Sequence, residues 1–273
     1  MMKILIACDM EGISGVVHWD QVMPGSAEYP RFQAIMTGDV NAAVRGALAG
    51  GADEVVVTDG HNTGRNILIE ELDSRARLNC SNASPLAMVQ GIEDSVDGLI
   101  FIGYHAQVGT QNAILEHTWS SSRVAGLWVN GNPFGEIGLN AALGGHFSAP
   151  ALMISGDQSA CAEASGLIQS IEIVVVKQAS SRMAAECLPP SVAQAKIEET
   201  AKRAVIRLAD GRAPAPLHLQ APLHMAVDFM TSEMADAASL LPGSQRAGRR
   251  VEYSAADMPA LYNAFRCLVA LAK

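Results

Sequence analysis

The sequence predicts an α/β fold, in which a mostly parallel wound sheet with flanking helices is followed by a smaller C-terminal α+β domain. Two observations indicate this class. Short, near-continuous apolar runs recur through the first two-thirds of the chain, and stretches that can form helices separate them. Strands that are buried on both faces of a parallel sheet have such apolar runs, and their alternation with helices is typical of α/β proteins.

The first two-thirds of the chain supply the elements of the wound sheet. We predict its strands at residues 3–9, 54–59, 98–105, 150–155 and 171–177. Residues 31–50 have apolar side chains at about helical spacing and end at a Gly-Gly pair, which is typical of a helix C-cap. A second helix is predicted at residues 157–167. The turn signal Asn130-Gly131, between two short apolar stretches, predicts a hairpin inside the wound sheet.

The pattern changes after residue 177. A helix is predicted at residues 191–208, and a Pro- and Ala-rich connector follows at residues 211–216. The rest of the chain predicts strands at 223–229 and 249–253 and helices at 232–240 and 258–272. We therefore expect two domains, an α/β domain at residues 1–180 and a smaller α+β domain at residues 181–273.

The composition excludes several classes of protein. Of the 273 residues, 49% are hydrophobic and 17% are charged, which supports a packed core and argues against disorder. The 19 Lys and Arg residues against 28 Asp and Glu residues give a net charge of −9, without a basic run. Nucleic acids and anionic membrane surfaces bind basic proteins, so we expect neither of them as a partner.

Cysteine usage and targeting signals indicate the compartment. The five cysteines are scattered and none forms a CxxC pair, so we expect free thiols rather than disulfides or a thiolate zinc site. Asp9 and Glu11 interrupt the N-terminal apolar run too early for a signal peptide, and no later segment reaches the ~18 apolar residues of a membrane span. We therefore expect a cytoplasmic protein.

Metal-type ligands follow three of the predicted strands. The first strand ends at Asp9, and Glu11 follows it. Asp59 ends the second strand and His61 follows it, and His105 ends the third. If the strands are parallel, these residues converge at one edge of the sheet. Taken singly, Asp59 could cap a turn, His61 could lie on an exposed loop and His105 could be a core histidine. Together they favour a metal site, because unpaired carboxylates at a half-buried strand edge are costly without a cation.

Five motifs resemble those of the zinc-dependent D-aminopeptidase (DppA) family and occur in the same order. They are DMEGISG at residues 9–15, DGH at 59–61, GYHA at 103–106, EHT at 116–118 and GEIGLNA at 135–141. The similarity continues through SGD at 155–157, VKQ at 176–178 and SR at 181–182 to the C-terminal strand and helix. The resemblance therefore covers nearly the whole chain.

The resemblance implies a dinuclear metal site in the first domain, which would be the catalytic domain. It implies five ligands, namely Asp9, Glu11, His61, His105 and Glu136, with Asp9 as the bridge. It also implies that His117 is the catalytic residue, as a nucleophile or a base. Carboxylate and imidazole ligands suit two zinc ions and would also accept manganese or cobalt. Without the resemblance, Glu136 would be interpreted as a carboxylate at a helix N-terminus, and we expect Asp59 to orient His61.

The activity that the resemblance implies is removal of an N-terminal residue, preferentially a D-residue, from short peptides by a metal-dependent aminopeptidase. It also implies a homo-oligomer, a decamer of two stacked pentameric rings. A dinuclear-metal phosphoesterase or another amidase is the enzymatic alternative, because such sites serve several hydrolytic reactions. A non-catalytic peptide-binding or metal-binding protein is a further alternative, against which the presence of His117 beside all five ligands argues.

Three other residues have open interpretations. His18 could line the pocket, although a position on a surface loop is the simpler interpretation. Lys177 and Arg182 could bind a substrate carboxylate, complete a subunit contact or act as structural cations.

Overall fold

The computed structural model describes residues 1–81 and 83–273. Its strands are β1 Lys3–Cys8, β2 Glu54–Asp59, β3 Ala76–Asn79, β4 Gly98–Tyr104, β5 Val124–Val129, β6 Asn132–Pro133, β7 Ala151–Asp157, β8 Glu172–Ser181, β9 Ala184–Cys187, β10 Leu223–Phe229, β11 Gln245–Ala247 and β12 Arg250–Ala255. Its α-helices are α1 Tyr29–Ala49, α2 Glu136–His146, α3 Gln158–Leu167, α4 Pro190–Ala209, α5 Ser232–Ala238 and α6 Met258–Leu271.

A seven-stranded sheet in the order β3-β2-β1-β4-β7-β8-β9 forms the centre of the fold. Its strands are parallel except for β9, which pairs antiparallel with β8. Side chains alternate between two apolar cores along β1. Ile4 and Ile6 face the core that includes α1 and α4, whereas Leu5 and Ala7 face the core that includes α2, α3 and α6. Burial on both faces explains why the strands are near-continuous apolar runs.

A second, antiparallel sheet has the order β11-β12-β10-β5-β6. Helices α5 and α6 pack against β10 and β12, and apolar residues of β5 and β10 join the core that contains α2. The predicted hairpin is the β5–β6 pair, with Asn130 and Gly131 at φ of 50° and 79° in its turn. Its predicted place inside the wound sheet is wrong, because β5 pairs with β10 of the second sheet.

The mixed α/β fold class is confirmed, and the structure contains every strand and helix that the sequence analysis located, with ends shifted by a few residues. Strands β3, β9 and β11 were not predicted. They are short, and each is half-buried or exposed along its length. An apolar run is the signal of a buried strand, and such edge strands do not carry it.

The predicted division of the chain after residue 180 stays a prediction, and the two sheets do not follow it. Strand β9 and helix α4 come after residue 180, yet β9 completes the first sheet and α4 packs against α1. Strands β5 and β6 come before it, yet they belong to the second sheet. The chain therefore moves from one sheet to the other and back.

The cysteines and the helices can be compared with the sequence. The five cysteines are free thiols in the part of the chain that the structure describes. Among residues 1–81 and 83–273, no helix combines the length and the apolar character that a membrane span requires.

Candidate metal centre

Three neighbouring parallel strands deliver metal-type side chains to one edge of the first sheet. Cys8, at the end of β1, pairs with Asp59 on one side and with Ile102 on the other, so the segments that follow these strands leave the sheet together. Asp9 and Glu11 follow β1 directly, and the segments after β2 and β4 carry the two predicted histidine ligands. The carboxylates and imidazoles therefore converge as the strand order predicts.

The structure brings together all six predicted site residues, which are 1 to 9% exposed: Asp9, Glu11, His61, His105, His117 and Glu136. Two groups of three offer ligand atoms within 4.8 Å of one another. One group is Asp9, Glu11 and His105, and the other is His105, His117 and Glu136. His105 belongs to both groups, and His61 lies beside the first. The geometry thus also permits His117 to act as a ligand.

Glu136 is the first residue of α2, where the N-terminal end of the helix favours a negative charge. Its Oε1 accepts a hydrogen bond of 2.7 Å from the backbone N–H of Trp119 and lies 3.3 Å from Nε2 of His105. A backbone amide, a helix terminus and an imidazole therefore all face one carboxylate. This arrangement fixes the rotamer of Glu136 toward the other ligands.

His61 is oriented by a backbone carbonyl. Its Nε2 donates to the carbonyl of Val22 over 2.8 Å, which leaves Nδ1 to face the carboxylates. Nδ1 lies 3.2 Å from Oδ1 of Asp9 and 3.1 Å from Oε2 of Glu11. Because a carbonyl oxygen only accepts, the neutral ring carries its proton on Nε2 and offers the Nδ1 lone pair to a cation.

The expectation that Asp59 orients His61 is wrong for the imidazole ring, whose Nε2 contacts Val22. Both Asp59 oxygens instead accept from the segment beyond His61: from the backbone N–H groups of Asn66 and Ile67 and from the amide of Asn66. The same Asn66 amide donates to the carbonyl of His61 over 2.7 Å. Asp59 therefore acts on the backbone around His61, through Asn66, and not on the imidazole.

The charges of the site favour a positive partner. Burial disfavours ionisation of Asp9, but the neighbouring imidazoles of His105 and His61 hold the pKa of Asp9 well below its usual range. Burial also opposes a charge on His61, yet Glu11 and Asp9 raise the pKa of that imidazole well above its usual value. Glu136 and Asp9 likewise raise the pKa of His105 against the effect of burial. The carboxylates therefore stabilise positive charge here, whether it is carried by an imidazolium or by a cation.

The donor set fits a divalent metal. Within the described residues, Asp9 Oδ2, Glu11 Oε2 and His105 Nε2 are buried and lack a hydrogen-bond partner. Buried polar atoms without partners are costly and rare in folded proteins. Coordination by a cation would satisfy all three at once, and oxygen and imidazole ligands suit zinc.

The residues with open interpretations have clear positions. Lys177 is 1% exposed, and its Nζ donates to three backbone carbonyls, which is the arrangement of a buried structural cation. The guanidinium of Arg182 donates to the side-chain carboxylate and to the backbone carbonyl of Glu116, the residue before His117. The side chain of His18 caps the short 3-10 turn at Trp19–Gln21 and is half exposed.

A cavity of about 730 Å³ opens onto the carboxylates and imidazoles of the site. Asp9, Glu11, His61 and Glu136 line it, together with His117. Its remaining wall includes Trp19, Trp119, Arg123 and residues of α6. The cavity gives a ligand of small size access to the carboxylates and imidazoles.

A parallel-sheet α/β fold whose cavity is lined by buried carboxylates and imidazoles is suited to a metallohydrolase. The family model described as D-aminopeptidase, peptidase family M55, matches residues 2–267. A D-aminopeptidase of Bacillus subtilis (strain 168) is 33% identical over 273 residues, which cover 99% of this chain and 98% of the relative.

A solved structure is equally similar. The Zn-dependent D-aminopeptidase DppA from Bacillus subtilis, described as a self-compartmentalizing protease, superimposes with a TM-score of 0.92. It is 32% identical, over 99% of this chain and 98% of its own. The chain belongs to the M55 family of D-aminopeptidases, as its motifs indicated, and is a hydrolase of the metallo-aminopeptidase class.

Proposed function

We propose that this protein removes the N-terminal residue, a D-residue, from short peptides at a site that holds two zinc ions. The ligands in this proposal are the five predicted ones: Asp9, Glu11, His61, His105 and Glu136. The observation that carries it is the convergence of buried, unpartnered ligand atoms, in a chain whose solved relative is a Zn-dependent D-aminopeptidase.

The position of Asp9 supports its role as the bridge between two ions. Its Oδ1 faces Nδ1 of His61 at 3.2 Å, and its Oδ2 faces Nε2 of His105 at 3.3 Å. The two imidazoles therefore lie on opposite oxygens of one carboxylate. Glu11 lies on the His61 side and Glu136 on the His105 side, so each ion would have one imidazole and one further carboxylate.

His117 is suited to proton transfer. Its Nδ1 donates to the carbonyl of Leu115 over 2.9 Å, so the neutral ring has its lone pair on Nε2. Nε2 faces the site, 3.9 Å from Oε1 of Glu136. When bound, zinc supplies Lewis-acid chemistry that polarises a scissile carbonyl and makes water more acidic. His117 would then accept a proton from the attacking water at Nε2 and return it to the leaving amine.

The surroundings of the site suit a short peptide with a free N-terminus. The cavity is large enough for a few residues, and the carboxylates that line it attract an ammonium group. A folded protein would not enter it. The stereochemical preference rests on the family alone.

We propose that the chain also assembles as a decamer of two stacked pentameric rings. The support is the solved relative, which is described as self-compartmentalizing. Ten chains of 28.7 kDa would have a mass of 10 × 28.7 = 287 kDa, which light scattering during gel filtration measures directly. A cytoplasmic location remains a prediction.

Substrate assays on the zinc-loaded protein test the proposed activity. We expect release of D-Ala from D-Ala-D-Ala, slower cleavage of L-Ala-L-Ala, and no cleavage of N-acetyl-D-Ala-D-Ala or of p-nitrophenyl phosphate. Two zinc ions per chain are expected by elemental analysis. Cleavage of the phosphoester alone would favour a phosphoesterase, cleavage of the acetylated peptide would favour another amidase, and binding of peptide without turnover would favour a binding protein.

A further inference from the structure

A buried lysine lies behind the metal-binding loop. Lys177 extends from β8 and is 1% exposed. Its Nζ donates to the carbonyls of Glu11, Ile13 and Val16 over 2.6, 3.0 and 2.7 Å. A lysine ammonium has three N–H groups, and three carbonyls of one short segment accept from them.

The segment at residues 9–17, which carries Asp9 and Glu11, has no helix or strand of its own in the described structure. Its shape therefore depends on contacts with the rest of the fold. Besides Lys177, Ser14 donates through its N–H and its hydroxyl to Oδ2 of Asp39, and Gly12 donates to the carbonyl of Gly103. Among the described residues, Lys177 alone donates a hydrogen bond to the backbone carbonyl of Glu11, one of the proposed ligands.

A charge at this depth is costly. Burial removes the ammonium group of Lys177 from water, which is unfavourable for a charged group. A methionine of similar volume would fill the same space, but it would leave three buried carbonyls without donors. Core packing alone therefore does not account for a lysine here.

We propose that Lys177 is a positioning residue of the metal site: by drawing three carbonyls around its ammonium group, it sets the course of the 9–17 segment and thereby the place of the Glu11 carboxylate. That carboxylate faces His61 at 3.1 Å. This inference rests on the proposed function in one respect, that Glu11 is a metal ligand. It assigns Lys177 no contact with substrate.

The inference predicts that Lys177→Met weakens zinc binding. Residues that orient metal ligands typically change metal affinity by about 10- to 100-fold, and we expect a loss in this range by chelator competition. The absorption bands of the Co²⁺-loaded protein in the visible region should also shift, because they report the geometry of the ligands. Lys202→Met, on the exposed surface of α4, should change neither measurement.

A control separates positioning from stability. Ile197→Ala opens a cavity in the apolar core, at a buried position of α4, and lowers the melting temperature. We expect its zinc affinity to stay within about twofold of the wild type. Equal zinc affinity in Lys177→Met and Ile197→Ala would overturn the inference. If Lys177→Met does not fold, Lys177→Gln is the substitute, because its side chain keeps N–H donors. We expect a smaller loss of zinc affinity in Lys177→Gln than a variant without donors would show. An unchanged zinc affinity in Lys177→Gln would overturn the inference.

Glu11→Ala distinguishes this inference from the proposed function. We expect it to lower zinc stoichiometry in a folded protein. If Glu11→Ala binds zinc normally, Glu11 is not a ligand and both proposals fail. If Glu11→Ala loses zinc while Lys177→Met retains wild-type affinity and an unchanged Co²⁺ spectrum, the proposed ligand set stands and the role of Lys177 is refuted.

Discussion

The imidazole rings of His105 and His117 are stacked, with centroids 4.0 Å apart and planes inclined by 14°. Each ring donates its Nδ1 hydrogen to a backbone carbonyl, and each turns Nε2 toward the same oxygen of Glu136, at 3.3 and 3.9 Å. His105 also faces Asp9, whereas His117 contacts the edge of Trp19. Two histidines with the same orientation thus have different neighbours, which supports different roles.

His117→Ala tests that difference. We expect the variant to keep its zinc and to lose turnover by about 10²- to 10⁴-fold, the usual contribution of a general acid or base. Zinc content by elemental analysis and kcat on a D-Ala peptide are the measurements.

His105→Ala is the matched control for His117→Ala, because it removes the other ring of the stack. It should lose both zinc and activity. Unchanged kcat in His117→Ala would remove His117 from the mechanism, and loss of one zinc ion would make it a ligand, as the grouping of His105, His117 and Glu136 permits.

Asn66→Ala should weaken zinc binding although Asn66 is not a proposed ligand. Its amide joins Asp59 to the carbonyl of His61, and its loss leaves buried acceptors without partners. We expect a loss of about 1–3 kcal/mol in the free energy of unfolding and a lower zinc affinity. Denaturant unfolding and chelator competition measure the two effects.

Asn41→Ala is the control for Asn66→Ala. Asn41 also joins two segments through hydrogen bonds, with Glu71 and Asp73, but it lies away from the site. It should lower stability without changing zinc affinity. An equal effect of the two variants on zinc affinity would show that Asn66 has no specific role at His61.

The fold could be predicted from the sequence wherever burial leaves a local pattern. Strands β1, β2 and β4 are buried on both faces, and their apolar runs are visible in isolation. Edge strand β3 is half exposed and has no such run. The placement of β5 in the second sheet depends on its pairing with β10, about a hundred residues later, and no local pattern encodes that pairing.

The convergence of Asp9, Glu11, His61 and His105 could be predicted because each follows a parallel strand, and strand order then determines where the side chains meet. Glu136 lies at a helix start and His117 on a loop, so only the family resemblance indicated them.

The contacts that orient the ligands could not be predicted. Lys177 contacts Glu11 across 166 residues, and the carbonyl of Val22 that binds His61 is a backbone atom with no signature in the sequence. Asn66, five residues after His61, was the one local signal available for this second layer of contacts.

The stability of the protein should carry a pH signature from Asp39. Burial raises the pKa of Asp39 from 3.8 to about 6, against the opposing hydrogen bonds from Ser14. Between about pH 4 and pH 6 the folded state therefore holds a proton that the unfolded chain has released. The contribution of Asp39 to the free energy of unfolding therefore falls as the pH rises from about 4 to about 6, by about 3 kcal/mol in total.

Asp39→Asn removes this titration and keeps an acceptor for Ser14. We expect the free energy of unfolding of the wild type, relative to the variant, to decrease between pH 4 and pH 7. Urea unfolding of the metal-free proteins at several pH values measures the difference. Parallel pH profiles would show that Asp39 does not titrate in this range.

Gly12→Ala should damage both the fold and the metal site. The segment that carries Asp9 and Glu11 passes so close to the end of β4 that a Cβ at Gly12 would overlap the backbone of Gly103 and Tyr104. The backbone cannot move aside as a flexible side chain can. We therefore expect a loss of about 1–3 kcal/mol in the free energy of unfolding, which is the usual cost of overpacking a core. The displaced segment should also bind zinc more weakly.

Gly166→Ala is the matched control for Gly12→Ala. Gly166 lies in helix α3, and a Cβ there meets nothing within 4 Å. Alanine favours a helix over glycine, so this variant should gain about 0.5–1 kcal/mol and bind zinc as the wild type does. Thermal unfolding and chelator competition on both variants are the measurements. A Gly12→Ala variant with wild-type stability and zinc affinity would show that the segment can move away from β4 without disturbing Glu11.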